Sequence, residues 1–161
     1  QYSRFETASE LYTVFEKMEP LDSAWPERRD GMDEILYGAG KEVYESNRRA
    51  FLTANGTRLE LLREQIMVYF VFGYFCGAVY NDNPYGKMKL AVTSFLMVRD
   101  MNTLRMAEQN GEFTVDDQVV TARIYAKEVE HSEWNLEYMA DEFLFGEAYT
   151  PENLCVALTR Q

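Results

Sequence analysis

The sequence predicts an all-α fold: one domain over residues 1–161, a bundle of five to six helices around a central apolar helix. Three observations predict it. Apolar residues recur at helical spacing almost throughout. Turn formers are sparse, with 9 Gly and 4 Pro in 161 residues. No segment alternates as a half-buried strand would. A chain of this length buries roughly 70% of the surface it would expose unfolded, which is enough for one core.

The first helix is expected from about Ser3 to Glu19, with Phe5, Ala8, Leu11, Tyr12 and Phe15 on one face. Pro20 closes it. A linker through Trp25-Pro26 leads to a second helix, about Met32 to Ala54, stopped by Asn55-Gly56. Thr57 with Glu60 three residues on reads as a capping box opening the third. Asn81-Asp82-Asn83-Pro84 is a break, with Asn83 as N-cap and Pro84 at the first helical position. The fourth helix then runs to about Asn110, where Asn110-Gly111 ends it. Thr114 opens a fifth helix expected to continue to about Phe145, and a short last one follows Thr150-Pro151-Glu152.

Ile66 to Tyr80 carries no charge. A membrane span needs about 20 such residues. The run is therefore expected to be the core helix of the bundle, and no membrane partner is expected.

Composition narrows the function classes. The formal net charge of −11 argues against a surface that tracks phosphates, so no nucleic-acid partner is expected. Cys76 and Cys155 are too few for a disulfide scaffold, an iron–sulfur cluster or a four-thiolate zinc site. No basic and apolar leader is visible, so a reducing, cytoplasmic location is expected. The first residue is Gln1, as in a domain cut from a longer protein.

Gly38-Ala39-Gly40 lacks the preceding strand and third glycine of a dinucleotide loop, and reads as a helix irregularity or a close packing point. The predicted fifth helix holds the lone histidine. Glu128 and His131 stand three apart, as in a Glu-x-x-His pair, but no second histidine completes a di-iron set, and no metal is expected. Val115, Val119, Ala122, Ala126, Val129, Leu136, Ala140 and Phe143 form its expected core stripe. Val120, Ile124, His131, Trp134 and Tyr138 form a second, semi-apolar one. Glu128, His131, Asn135 and Tyr138 share a polar edge, which reads either as a hydrogen-bonded structural histidine or as a pocket lining.

On the third helix, Tyr69, Gly73, Cys76 or Gly77, and Tyr80 share a face on which two tyrosines bracket small residues. Such a strip lets a neighbouring helix approach, or holds a cationic amine by cation–π attraction. Arg99 falls in the apolar part of the fourth helix and needs a carboxylate; Asp82, Glu64 and Glu128 are the candidates.

Three segments taken together, "EPLDSAWPERR" (19–29), "VYFVFGYFCGAVYNDN" (68–83) and "YAKEVEHSEWNLE" (125–137), resemble the C-terminal helical region of bacterial flagellin lysine-N-methylases. "KMKLAVTSFLMVRDMN" lies between the last two, and Glu130-His131-Ser132 followed by Asn135 is the most specific piece. The resemblance implies a protein-lysine methyltransferase with S-adenosylmethionine as donor, flagellin as acceptor, and a cysteine-rich N-terminal region that this chain lacks. For such a reaction, residue type and helix face suggest that His131 or Glu128 would take the lysine proton. Tyr69, Gly73, Tyr80, Arg99, Asn135 and Tyr138 would line the substrate or cofactor pocket.

Two other readings stand beside this one. The chain could be a non-catalytic support or docking module of that protein. It could instead be an acidic nucleic-acid mimic, resting only on its charge.

Overall fold

The computed structural model describes residues 1–54, 56–81 and 83–159, and every regular element among them is helical. In order these are α1 (Arg4–Glu16), α2 (Trp25–Met32), α3 (Lys41–Ala54), α4 (Gly56–Phe75), α5 (Ala78–Asn81), α6 (Pro84–Glu108), α7 (Val115–Tyr125), α8 (Glu133–Phe145) and α9 (Pro151–Leu158). Two π-turns, Asp33–Tyr37 and Ala126–Glu130, and a 3-10 turn, Glu147–Tyr149, complete them. The Asn55 stop and Asp82 as a partner of Arg99 lie outside the described residues, and so does the side chain of Thr57 on which the predicted cap rests.

The expected helix starts are built from their caps. Ser3 Oγ accepts from Glu6 N at 3.3 Å while Glu6 Oε2 accepts from Ser3 N at 2.7 Å, a reciprocal pair that satisfies two otherwise orphaned amides. Thr114 and Asp117 repeat the arrangement at α7. Asn83 accepts from Gly86 N at 2.8 Å and Pro84 takes the first helical position. A Cβ at Gly86 would lie 2.5 Å from the Asn83 side chain, so this cap requires glycine there. The α6 stop uses left-handed backbone at Asn110 (φ 55°) and Gly111 (φ 94°).

There are more helices than expected because three predicted ones are interrupted, the third of them at Cys76-Gly77 between α4 and α5, and because the predicted linker is helical. The stretch expected as a linker through Trp25-Pro26 is itself a helix, α2. The predicted second helix from Met32 is a π-turn and α3, separated where Gly40 takes φ 90°. Gly38-Ala39-Gly40 is thus the irregularity its composition suggested. The predicted fifth helix breaks at His131, after which Ser132 starts α8 by accepting from Asn135 N at 3.1 Å. Each π-turn carries an extra residue in its hydrogen-bonded ring, which shifts the faces that follow.

The largest correction concerns the centre of the bundle. The charge-free run Ile66–Tyr80 is not the core helix. It forms the end of α4, a turn at Cys76-Gly77, and α5, and it lies at the surface with Val68, Tyr69, Phe72 and Phe75 exposed. The core helix is α6, which buries most of its length and packs against α1, α3, α4, α7, α8 and α9. Its sequence looks less apolar because its polar side chains are paired inside. Lys89 Nζ donates to the Phe143 and Leu144 carbonyls at 3.0 and 3.2 Å, closing the end of α8. Ser94 accepts from the Tyr125 hydroxyl at 2.6 Å, and Asn102 donates to Gln118 at 2.8 Å.

Arg99 has none of its predicted carboxylate partners Glu64 or Glu128. Its neighbour Asp100 takes Nε at 3.0 Å, the Ala157 carbonyl takes Nη1 at 2.8 Å, and Tyr44 Oη lies 3.2 Å from Nη2. Asp100 also accepts from Tyr37 and Tyr44 at 3.0 and 2.9 Å. This buried cluster ties α6 to α3, α9 and the first π-turn.

Candidate functional site: a groove between α4 and α7

Helices α4 and α7 both lean on α6, and a groove of about 340 Å³ separates them. From α4 it is lined by Leu62, Ile66, Tyr69 and Phe70, which recur at helical spacing on one face. From the other side come Val119, Ala122 and Ala126, and Glu130 from the π-turn. Part of the predicted core stripe of the fifth helix therefore faces this groove, and Val119 is 60% exposed. The face of α7 that enters the core is Gln118, Thr121 and Tyr125 instead. Small alanines opposite the aromatic residues of α4 leave the space open.

Glu130 is the groove's carboxylate. The Tyr69 hydroxyl donates to Glu130 Oε2 at 2.9 Å. Burial, then this bond, raises the Tyr69 hydroxyl above the usual tyrosine value. Burial and the Glu130 charge do the same to Tyr74. Phe70 stacks on Tyr74 at 5.9 Å and meets Tyr69 and Tyr125 edge-on at 5.4 Å each. Gln118 is buried at the floor. Its Oε1 accepts from Asn102, while its Nε2 has no hydrogen-bond partner. Apolar walls ending in a carboxylate and a tyrosine ring suit an alkyl chain that ends in a cation.

The predicted site residues are not brought together. Tyr69 is in the groove. Tyr80 is 90% exposed on α5, beyond the turn, and does not bracket a slot with Tyr69. Gly73 faces open space, with nothing within 4 Å of where a Cβ would sit, so no helix approaches it and it packs no ligand slot. Tyr138 stacks on Trp134 at 5.4 Å on α8.

The shared polar edge of Glu128, His131 and Asn135 is broken by the π-turn. Glu128 is fully buried, and its two oxygens accept from Leu21 N at 2.9 Å and Asp22 N at 2.7 Å, holding the loop after α1. Asn135 is also fully buried and binds that loop at Glu19. His131 lies exposed at the break. Sequence reasoning missed Glu130, one residue from His131 in the same run. It follows Ala122 and Ala126 at spacings of four, on the face that lines the groove, whereas Glu128, two residues earlier, points to the other side.

These features define an all-helical domain with one buried helix at its centre and an open groove beside a surface helix. The family model of the FliB lysine N-methylase C-terminal domain matches residues 1–157, and the chain belongs to that family. Comparison with curated proteins and with solved structures finds no match.

Proposed function

We propose that this domain serves protein-lysine methylation by holding the acceptor lysine in the Tyr69–Glu130 groove. The observation that carries the reading is the Tyr69–Glu130 pair at the end of an apolar slot, in a domain of a lysine N-methylase family. The lysine methylenes would lie along Ile66, Val119 and Ala122. The ammonium would meet Glu130 and the Tyr69 ring. A lysine with a pKa of about 10.4 is protonated near neutral pH, so its nitrogen must lose a proton before it can attack a methyl group. Glu130 Oε1 is the acceptor the groove offers.

S-adenosylmethionine, the donor the resemblance implies, does not fit this groove as a whole. Its purine edge and ribose hydroxyls need several polar partners, and the groove offers Gln65, Glu130 and a Gln118 already turned to Asn102. We therefore assign the groove to the acceptor alone and the donor to another part of the enzyme. Flagellin is the proposed acceptor protein, on the resemblance. Two exposed free thiols, Cys76 and Cys155, suit the reducing cytoplasm as its location. Among the described residues no helix is long and apolar enough to cross a membrane.

A docking role for the same domain has its own observation: Val68, Phe72 and Phe75 form an exposed apolar face on α4. The proposed cysteine-rich N-terminal region is the partner that reading implies.

The test is titration of the chain with n-butylammonium and with Nα-acetyl-lysine amide, followed by NMR. Saturable shifts at Tyr69, Ala122 and Ala126, weakened about tenfold or more in Glu130→Gln, are expected. No shifts there would sink the groove assignment. In the full enzyme, Glu130→Gln should reduce methylation while His131→Ala preserves it; the reverse result would return the proton transfer to His131.

A further inference from the structure

The Tyr69–Glu130 groove is longer than the lysine side chain assigned to it. Gln118, Ala122, Ala126 and Glu130 succeed one another at spacings of four along one wall. At about 1.5 Å per residue, the stretch from Gln118 to Glu130 spans about 18 Å. The α4 wall runs the same way. Tyr69 meets Glu130 at one end, and at the other Leu62 packs with Phe113, just before α7, on the cluster of Phe51 and Met106. Allowing about 3 Å for a hydrogen bond at each end leaves about 12 Å, the reach of an extended lysine side chain with one or two residues of backbone beyond it.

The Gln118 end holds an unused donor. Gln118 is 3% exposed. Its Oε1 accepts from Asn102 Nδ2 at 2.8 Å, and its Nε2 has no hydrogen-bond partner. Asn102 Oδ1 is unpartnered as well, so the second bond that two facing amides can make is not formed. A buried N–H without an acceptor is costly and uncommon, and here it belongs to a residue on the wall of an open groove. The apolar side chains of that end, Leu62, Val119 and Ala122, bring no acceptor. Held at its oxygen alone, the amide can tilt about its last side-chain bond and bring Nε2 to a ligand atom without releasing Asn102.

We propose that Gln118 is a specificity-determining residue of the groove: its Nε2 donates to a backbone carbonyl of the acceptor, that of the modified lysine or of a residue beside it. The inference rests on the groove taking lysine, and it narrows the ligand from an alkylamine to a lysine within a peptide. The two ends of the groove then read opposite chemistry, a cation at Glu130 and a carbonyl oxygen at Gln118. Each party needs the bond. A peptide carbonyl pressed against Leu62 and Val119 loses water and must find a donor, and Nε2 is a donor that lacks an acceptor. An amine without a carbonyl, such as n-butylammonium, fills the Glu130 end only.

The experiment is titration of the ¹⁵N-labelled chain with acetyl-Ala-Ala-Lys-Ala-Ala amide and, separately, with n-butylammonium, followed by NMR at pH 7. The Tyr69 and Ala126 signals should move with both ligands. The Gln118 side-chain N–H signals should move downfield with the peptide and stay in place with n-butylammonium. The peptide should bind roughly threefold to tenfold more tightly, and Gln118→Met should erase most of that preference. Movement at Tyr69 with both ligands and none at Gln118 overturns the Gln118 assignment and leaves the lysine reading standing. So does a peptide preference that Gln118→Met preserves. No movement at Tyr69 with either ligand overturns the lysine reading, and this assignment with it. The comparison of the two ligands on the unaltered chain decides among these outcomes even if the variant, which deprives Asn102 of its partner, fails to fold.

Discussion

Asn135 holds Glu19 as a neighbouring strand would. Its Oδ1 accepts from Glu19 N at 3.0 Å and its Nδ2 donates to Glu19 O at 2.9 Å, while the same Nδ2 donates to Glu128 O at 2.7 Å. One side-chain amide thus satisfies both backbone groups of a loop residue and one carbonyl of the π-turn. Glu128 completes the clamp at Leu21 and Asp22. The motif that most specifically marks the resemblance, Glu130-His131-Ser132 with Asn135, includes a device that fastens the loop after α1 to the junction of α7 and α8.

Asn135→Ala should therefore destabilise the chain by about 2–4 kcal/mol, because it leaves buried backbone groups of Glu19 and Glu128 unpaired. Asn135→Asp keeps the acceptor and loses both donated bonds, so it should also be destabilising. Urea unfolding measures both, with the midpoint falling and the slope unchanged. A loss below about 0.5 kcal/mol for Asn135→Ala would show that water replaces the clamp without cost.

Asp100→Asn should be among the most damaging single changes in the chain. The carboxylate meets Arg99 and two tyrosine hydroxyls with 1% exposure, and removing its charge leaves a buried guanidinium uncompensated. Breaking such a pair costs about 3–5 kcal/mol. Tyr37→Phe removes one neutral donor to the same carboxylate and should cost about 1 kcal/mol. Equilibrium denaturation of the two variants side by side checks the ratio.

Asp117 makes stability depend on acid pH. Bonds from Thr114, Arg105 and Gln109 hold its carboxyl well below its ordinary value of 3.8. Arg105 Nε approaches at 2.6 Å, and Thr114 N and Oγ1 donate at 2.8 and 2.6 Å. Because the folded value is depressed, the contribution is complete above about pH 4 and is lost as pH falls from there toward the folded value. Asp117→Asn should be about 1–2 kcal/mol less stable at pH 7. Thermal melts across pH 2–7 should show the gap from the parent closing below about pH 4; a gap constant with pH would remove Asp117 from the acid limb.

Four helix starts, those of α1, α6, α7 and α9, were legible because each rests on local chemistry. Ser3, Asn83, Thr114 and Thr150 bond to amides two or three residues on, and their side chains announce it. The π-turns at Asp33–Tyr37 and Ala126–Glu130 leave no such mark, since they depend on how distant segments pack. The second ends in the break at His131, which leaves His131 exposed beside a fully buried Glu128. The centre of the bundle was misplaced for another reason. Charge-free sequence was taken for buried sequence, whereas Arg99, Asp100 and Asn102 are inside because each finds a partner across 12 or more residues or in its neighbour, which a linear reading does not show.

Helix α4 forms a wall of two clefts, the Tyr69–Glu130 groove and a second one with Arg48 and Arg63. Its main support is α6. The same cylinder therefore sets the width of both openings, one on each flank. The helix that the sequence reading set at the core of the bundle is instead a partition wall between two openings.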